Sequence, residues 1–270
     1  MIVGCGYVGE RLRTALAGES VVGTTRSLQR AALLQLADPY QPDTIGLLPD
    51  DIVVDSVPTD PERGRHMPAL AAAARRASVR RIIYLSATSV YGPGDGGWVD
   101  EDTPARPTSA RGRARLAEED ALRQSGVSGV SLRIAAIYGP GRGVHERIRA
   151  GTHHVYGTGQ TFLSRIHVDD LVSVIVAAGR ARNVSPAYVV ADDTPATSRE
   201  VADGVAEMLG VPPPPSAPEA DAPADLAEML LSNRRIRNAR MKAELGLTLR
   251  YPSWREGTAA IVLDERRRLD

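Results

Sequence analysis

The chain has 270 residues, of which 43% are hydrophobic and 24% are charged, and its 33 basic and 33 acidic side chains cancel. This composition is typical of a soluble globular protein, with one large domain or a nucleotide-binding domain and a smaller appendage. A net charge of zero argues against nucleic acid and acidic membrane surfaces as partners.

The sequence also shows no membrane span, no targeting signal and no pair of cysteines. No apolar run approaches the roughly 20 residues that a membrane span needs, and no signal peptide precedes the opening MIVGCG. The single cysteine, Cys5, excludes an internal disulfide and a multi-cysteine zinc site. We therefore expect a cytoplasmic protein that holds no metal.

The first predicted elements are a short strand, MIV, a glycine turn, GCGYVG, and a helix over ERLRTALAG. This order is typical of the dinucleotide-binding fingerprint. Its first glycine permits a tight turn, its second lets a pyrophosphate approach the backbone, and its third lets the helix pack against the strand. The cofactor-binding residues expected in this loop are Gly4, Gly6, Tyr7, Val8 and Gly9.

The second predicted strand, SVVGTTRS, ends without the acidic residue that usually binds the adenosine ribose of NAD. Thr25, Arg26 and Ser27 stand there instead, and an arginine with hydroxyls binds a 2'-phosphate through charge-assisted hydrogen bonds. We therefore predict NADP(H) as the cofactor in preference to NAD. The alternative is that Arg26 is simply a solvated residue after the strand.

Strands and helices then alternate with short links. The chain runs through a helix (LQRAALLQLA), a strand (DDIVVDSVP), a helix (MPALAAAARRASV), a strand (RRIIYLSATSVYG), a helix (RGRARLAEEDALRQSG) and a strand (VSGVSLRIAAIYGPG). This alternation predicts an α/β fold with a Rossmann-type, doubly wound parallel sheet over residues 1–141. Ligands bind at the carboxyl ends of such strands, which puts Ser56, Ser86, Tyr138 and Pro140 at the expected cofactor edge.

The pattern changes from about residue 142. We expect a small C-terminal substrate lobe over 142–270, with segments around 165–192 returning to the core. His145, His153 and His154 fall in this lobe, where an imidazole can titrate near neutral pH. The proline-rich stretch VPPPPSAPEADAPA is expected to be an exposed loop.

Five segments resemble the short-chain dehydrogenase/reductase superfamily, in its extended and atypical branches of the NAD-dependent epimerase/dehydratase type. They are GCGYVG at 4–9, YLSATSVYG at 84–92, LRIAAIYGPG at 132–141, RIHVDDL at 165–171 and NRRIRNARMKAELGL at 233–247. The resemblance implies a Ser or Thr at the end of the fourth strand and a Tyr-x-x-x-Lys pair on the next helix. In that pair the tyrosine transfers a proton, while the lysine binds the nicotinamide ribose and lowers the tyrosine pKa.

This chain departs from that pattern at every one of these positions. The usual Ser or Thr falls on Ala87, and the Tyr and Lys fall on Arg111 and Arg115. The only lysine, Lys242, follows Asn238 by four residues, so the chain holds no Tyr-x-x-x-Lys pair. Arg115 is expected to keep the ribose-binding role. Arg111 cannot act as an acid, because a guanidinium does not deprotonate in proteins.

The catalytic candidates are Thr88, Tyr91 and Arg111. Thr88 could hydrogen-bond a substrate carbonyl, Tyr91 could donate a proton, and Arg111 could pair with an anionic substrate. Three functions stay open. The first is an NADP(H)-dependent oxidoreductase or epimerase/dehydratase that acts on a small, anionic, carbonyl or sugar-like substrate with a non-standard proton donor. The second is a catalytically inactive NADP-binding sensor or scaffold, and the third is a non-redox enzyme that reuses the pocket. The oligomeric state is open as well, a homodimer included.

Overall fold

The computed structural model describes residues 1–25, 34–35, 42 and 45–269. In chain order its strands are β1 (Ile2–Val3), β2 (Thr24–Thr25), β3 (Leu34–Gln35), β4 (Ile52–Asp55), β5 (Arg81–Ala87), β6 (Trp98–Val99), β7 (Gly129–Ile134), β8 (Ala136–Tyr138), β9 (Val155–Tyr156), β10 (Phe162–Leu163), β11 (Arg165–His167), β12 (Ala187–Val190), β13 (Ala196–Thr197), β14 (Ser216–Ala217) and β15 (Arg235–Ile236). Its helices are α1 (Tyr7–Ala15), α2 (Met67–Arg76), α3 (Ala110–Gln124), α4 (Val144–Arg149), α5 (Val168–Arg180), α6 (Ser198–Leu209), α7 (Ala224–Ser232), α8 (Ala239–Leu245) and α9 (Trp254–Leu269).

The centre of the molecule is a five-stranded parallel sheet with the order β1-β4-β5-β7-β12. Its strands are mostly apolar because helices cover both faces of the sheet, so side chains are buried on either side. In β5 the first six residues are all buried, and Ile83 pairs with Val54 on one side and Val130 on the other. A bridge between Ile2 and Gly23 continues the sheet toward β2 and β3. The expected Rossmann-type fold is confirmed.

Two pairs of helices form the outer layers. Leu12 of α1 and Leu171 of α5 belong to the hydrophobic cluster on one face of the sheet. Leu70 of α2 and Leu122 of α3 belong to the cluster on the other face. This double cover leaves the carboxyl ends of the strands as the open edge of the sheet.

Residues 34–35 depart from the sequence prediction. The pattern LQRAALLQLA predicted a helix, but within it Leu34 and Gln35 form β3, which pairs in parallel with Thr24 and Thr25 of β2. Because β2 lies beside β1, this pairing supplies its outer edge with a partner strand. The other residues of the predicted helix lie outside the described residues.

The predicted strand VSGVSLRIAAIYGPG is divided at Ala135. The Ala135 N–H donates to the Val190 carbonyl at 2.9 Å, within the main sheet, whereas the Ala136 N–H donates to the Ser164 carbonyl at 3.2 Å. From that point β8 pairs in parallel with β11. The apolar run therefore serves two different sheets, which periodicity alone does not distinguish.

The C-terminal half is built from short strand pairs and helices. β10 pairs with β13, β9 with β14, and β6 with β15, while α4, α6 and α9 surround a cluster that contains Tyr138 and Trp254. The proline-rich stretch expected to be an exposed loop contains β14, because the Pro215 carbonyl accepts the Val155 N–H at 3.0 Å. Proline lacks a donor, but its carbonyl still serves an edge strand. Among the described residues, no helix is both long and apolar enough to span a bilayer.

Candidate active site

The glycine turn between β1 and α1 has two packed glycines and one open glycine. Gly4 has φ +80°, and a Cβ there would lie 3.2 Å from the Ser56 backbone. A Cβ on Gly9 would lie 3.1 Å from Cys5 Sγ. Among the described residues, apart from Gly6 and its chain neighbours, no heavy atom lies within 4 Å of the place where Gly6 would carry a Cβ. Gly4 and Gly9 therefore bring the chain and helix close to the sheet, while Gly6 leaves space in front of the loop.

The loop is held so that the start of α1 faces this space. The Thr24 hydroxyl accepts the Gly4 N–H at 3.0 Å, and the Thr24 carbonyl accepts the Cys5 N–H at 2.8 Å. Gly6 precedes α1 without a side-chain cap. An uncapped helix start offers N–H donors and the positive end of the helix dipole, so these residues fit a dinucleotide pyrophosphate. Val8 points into the core and could contribute only its backbone.

The turn after β8 is joined to the start of α1. The Tyr7 hydroxyl donates to the Pro140 carbonyl at 3.1 Å, and the Arg142 guanidinium lies 5.4 Å from the centre of the Tyr7 ring. Burial raises the pKa of Tyr7, which keeps the phenol protonated. Ser56 lies against the same loop and donates its N–H to the Val3 carbonyl at 2.9 Å. Tyr7, Ser56 and Pro140 are thus gathered around the glycine loop.

The residues expected to select the adenosine phosphate are only partly described. Thr25 is half-buried at the end of β2. Arg26 and Ser27 lie outside the described residues, so their expected contact with a 2'-phosphate stays a prediction.

Ser86, near the end of β5, belongs to a buried ionic network. Its hydroxyl donates to Glu119 Oε1 at 2.6 Å, and Arg133 donates to Glu119 Oε2 through Nη2 at 2.8 Å and Nε at 3.1 Å. Ser86 and Glu119 are buried. The hydroxyl of Ser86 is therefore used to join β5 to α3.

Tyr91 is held by the same network. Its hydroxyl donates to the Asp100 carbonyl at 2.8 Å and accepts from Arg133 Nη1 at 3.0 Å. Burial raises the pKa of Tyr91, while Arg133 lowers it in part. Of the catalytic candidates, Tyr91 has an engaged hydroxyl, whereas the half-buried Thr88 makes no side-chain hydrogen bond to any described residue.

Arg111 and Arg115 lie on the first turns of α3. Ser109 caps this helix by accepting the Gly112 N–H at 3.0 Å. A Cβ on Gly112 would lie 2.7 Å from the Ser89 carbonyl, so glycine allows the helix to approach the turn after β5. Arg111 is exposed and Arg115 is half-buried. Within the described part of the chain, neither guanidinium has a hydrogen-bond or ion-pair partner, so both are available to a ligand.

Arg234 supports this region and was not identified from the sequence. It is buried, and its guanidinium donates to the carbonyls of Thr88 and Gly92, while Nε donates to the Ser232 carbonyl at 3.0 Å. Arg234 thereby fixes both ends of the short 3-10 turn Thr88–Tyr91. It lies in the segment NRRIRNARMKAELGL, but nothing in that pattern indicates which arginine reaches back to β5.

A cavity of about 520 Å³ lies in the C-terminal half, between β8, β11, α4, α6 and α9, and we call it the lobe cavity. Arg142, which stacks on Tyr7, lines it, so the cavity adjoins the glycine loop. The histidines expected in this lobe line it as well, together with three arginines that were not identified from the sequence. The basic side chains on its wall are Arg142, Arg147, Arg165, His145, His153 and His154.

Two of the cavity histidines, His145 and His153, have lowered pKa values. Burial lowers the pKa of His153 to about 4, with Arg147 lowering it further, and burial also lowers the pKa of His145. Tyr138 forms another part of the wall, and its hydroxyl donates to the Ser253 carbonyl at 3.3 Å. Tyr138 was expected at the cofactor edge, and it lies here between the sheet and α9.

One group near the cavity has the side chains of a metal site. Ligand atoms of His145, Glu146 and Glu265 lie within 4.8 Å of one another. Arg149 lies 2.5 Å from Glu265 and 3.5 Å from Glu146. Because the guanidinium pairs with both carboxylates, this group is an ion-pair cluster that joins α4 to α9.

Known proteins resemble this chain in sequence and in fold. Residues 1–191 match the model of the NAD dependent epimerase/dehydratase family. The curated 3-diazoavenalumate denitrifying reductase of a Streptomyces species is 30% identical over 254 residues, which cover 86% of this chain and 83% of the relative.

Two solved structures extend the likeness over the whole chain. A functionally unknown conserved protein from Silicibacter pomeroyi is 34% identical, with a TM-score of 0.83 and 97% of each chain covered. MoeE5 in complex with UDP-glucose and NAD is 25% identical, with a TM-score of 0.79, and the match covers 100% of this chain and 99% of MoeE5. With its glycine turn, its parallel sheet and this family match, the chain belongs to the NAD-dependent epimerase/dehydratase family.

Proposed function

We propose that this protein is an NADP(H)-dependent oxidoreductase of a small anionic substrate. The observation that carries the proposal is the open space at Gly6 in front of the uncapped start of α1. The bound NAD of MoeE5 and the reductase activity in the name of the Streptomyces relative support the same class. A bound nicotinamide would supply or accept a hydride at this site.

The chain's own residues have separable roles in this proposal. The glycine loop holds the pyrophosphate, and Arg115 donates to the ribose on the nicotinamide side, in place of the usual lysine. Arg111 pairs with an anionic group of the substrate, since it lies on the same face of α3 four residues earlier. Thr88, whose hydroxyl has no hydrogen-bond partner among the described residues, follows the vacant serine position and orients the reacting group.

The loss of the tyrosine that usually serves as the acid narrows the class of substrate. A guanidinium such as that of Arg111 is not a general acid in proteins, and the Tyr91 hydroxyl donates to the Asp100 carbonyl and accepts from Arg133. Reduction of a ketone builds negative charge on oxygen and gains from a proton donor. A cationic acceptor such as a diazonium or iminium group builds no oxyanion. The name of the relative, a denitrifying reductase of 3-diazoavenalumate, favours this second type of acceptor.

Cofactor binding is the first test. The purified protein is titrated with NADPH and NADH, and binding is followed by nicotinamide fluorescence. We expect both to bind and NADPH to bind more tightly, with Arg26→Asp reversing the preference. Failure to bind either nucleotide would remove the proposed function, and equal effects of Arg26→Asp on both would remove Arg26 from the phosphate site.

Turnover is the second test. NADPH oxidation is followed with matched ketone and iminium or diazonium compounds that carry a carboxylate. We expect faster oxidation with the cationic acceptors. Tight NADPH binding without turnover of either class would instead favour a redox sensor.

A cytoplasmic location and a homodimer remain proposals beside this function.

A further inference from the structure

The lobe cavity has a cationic part and an apolar part. Val201, Val205, Leu230 and Trp254 form much of the apolar wall, and Trp254 is 2% exposed. The described lining residues include arginines and histidines but no aspartate or glutamate. A cavity of this size lies within the range of about 300–1,000 Å³ that is usual for small-molecule sites.

Arg165 is the buried cation of this cavity. It is 8% exposed, and its Nη1 donates to the Leu163 carbonyl at 2.6 Å. No carboxylate among the described residues forms an ion pair with it within 4.0 Å. Burial lowers the pKa of Arg165 to about 10, so the group remains charged at neutral pH. A buried guanidinium is normally paired with an anion, and here the cavity is the place where one can enter.

Among the acidic groups, Asp192 acts most strongly on Arg165, but it does not fully neutralise the positive charge of Arg165. Burial raises the pKa of Asp192 to about 8, so this carboxyl is largely protonated at neutral pH. One of its oxygens accepts the Thr194 N–H at 3.3 Å, and Oδ2 has no hydrogen-bond partner among the described residues. Since no described carboxylate lies within ion-pair distance of Arg165, its positive charge is left for a ligand that enters the cavity.

His153 adds a neutral donor to the same wall. Arg147 Nε donates to His153 Nδ1 at 3.4 Å, which leaves the imidazole proton on Nε2. Its low pKa has burial as the main cause, and Arg147 and Arg165 add to it. Inside the cavity a ligand anion thus meets the buried charge of Arg165 and the neutral donor of His153, while the exposed Arg142 and Arg147 lie farther out on the same wall.

We propose that the lobe cavity binds a small organic carboxylate, with its carboxylate on Arg165 and its apolar or aromatic body against Val205 and Trp254. The planar guanidinium matches a carboxylate through two parallel hydrogen bonds. The apolar wall then takes up the part of the ligand that water solvates poorly. This inference rests on the proposed function, because it names the substrate class; it assigns the carboxylate to Arg165, and Arg111 is left for a second anionic group of the substrate.

The test measures carboxylate binding without a nucleotide. Calorimetry compares 3-phenylpropanoate with its neutral amide, 3-phenylpropanamide, on the wild-type protein and on Arg165→Met. We expect the wild type to bind the acid at least about tenfold more tightly than the amide, a difference that one charge-assisted pair supplies. Arg165→Met should remove that difference. The exposed Arg182→Met is the matched control and should keep it.

The folding and the cofactor binding of Arg165→Met are measured separately. Methionine replaces a buried, unpaired cation by an apolar chain of similar length, so the Tm of Arg165→Met should stay equal or rise. Its NADPH affinity should match the wild type. Loss of NADPH binding with intact carboxylate binding would count against the proposed function alone.

Three results would overturn the carboxylate site. The first is equal binding of acid and amide to the wild type. The second is unchanged acid binding by Arg165→Met. The third is tighter binding of inorganic phosphate or UDP than of 3-phenylpropanoate, which would assign the cavity to a phosphate ligand.

Discussion

His66 carries a positive charge in the interior because two carboxylates flank it. Its Nε2 lies 2.7 Å from Asp55 Oδ2, and its Nδ1 lies 2.9 Å from Glu118 Oε1, with all three side chains fully buried. Burial alone would lower the pKa of His66, but Asp55 and Glu118 outweigh it and raise the pKa to about 10. The group thus links the end of β4, the start of α2 and the middle of α3.

This shift predicts alkaline destabilisation. A histidine whose folded pKa is raised from 6.5 to about 10 stabilises the fold fully below pH 6.5 and loses that contribution as the pH rises to about 10. The raised pKa of Asp192, about 8, also makes the free energy of unfolding fall as the pH rises, but over the range below pH 8. The free energy of unfolding in urea should therefore fall above pH 8 in the wild type and stay nearly flat in His66→Gln. Parallel pH profiles would contradict this assignment.

Gly6 offers a second prediction at the residue scale. Because no atom of the described residues beyond its chain neighbours lies within 4 Å of its missing Cβ, Gly6→Ala should fold normally while its methyl group occupies the space for the pyrophosphate. We expect at least about a tenfold loss of NADPH affinity, since the fingerprint glycine is needed for close backbone approach. Gly18→Ala, also in open space, is the control in the same titration. Equal affinities of both variants would place the cofactor elsewhere.

At the scale of elements, the network of Ser86, Tyr91, Glu119 and Arg133 joins β5, the 3-10 turn, α3 and β7. Arg133→Met leaves the Glu119 carboxylate buried without its partner, which costs about 3–5 kcal/mol. The exposed pair of Arg123 and Asp120, 2.7 Å apart on the same helix, gives the control. Arg123→Met should cost at most about 1 kcal/mol. Urea unfolding measures both, and equal losses would show that burial does not set the difference.

The sequence predicts the elements whose pattern is local. The apolar runs of β4, β5 and β7 and the apolar faces of α2 and α3 follow from burial on both sides of one sheet. The break at Ala135 could not be predicted, because β7 and β8 are equally apolar and differ only in their partners. β14 could not be predicted either, since its proline-rich flank has the composition of a loop.

In the candidate site, too, the sequence predicts the residues of a local motif but not those that long-range contacts bring together. The glycine loop was identified because spacing and context specify it. Arg165 and Arg234 were missed because the chain contains 33 basic residues, almost all arginine, and sequence does not show which of them is buried. Arg234 contacts Thr88 across 146 positions, a separation at which no local pattern connects two residues.

At the scale of the whole molecule, the two halves of the chain are interleaved. β6 from the first half pairs with β15 from the last part, Arg234 bonds to the turn after β5, and β12 completes the main sheet. We therefore propose that residues 1–141 and 142–270 unfold together, although their roles differ.

Tryptophan fluorescence and circular dichroism test this cooperativity. Trp98 is half-exposed, whereas Trp254 is buried in the C-terminal half, so Trp98→Phe leaves a single reporter there. We expect its urea transition to coincide with the loss of far-ultraviolet circular dichroism, as in a two-state transition. Two separated transitions would show that the halves are independent domains.

The division of one apolar run at Ala135 has a consequence for how such proteins diversify. Only one residue, Ala135, joins β7 to β8. The junction therefore contains no linker at which recombination could exchange one ligand-binding region for another. A graft cut there would sever two hydrogen-bonded ladders at once. New specificities in this architecture are therefore expected to arise by replacing individual cavity side chains, and libraries for altered selectivity should vary those positions and leave the strand junction intact.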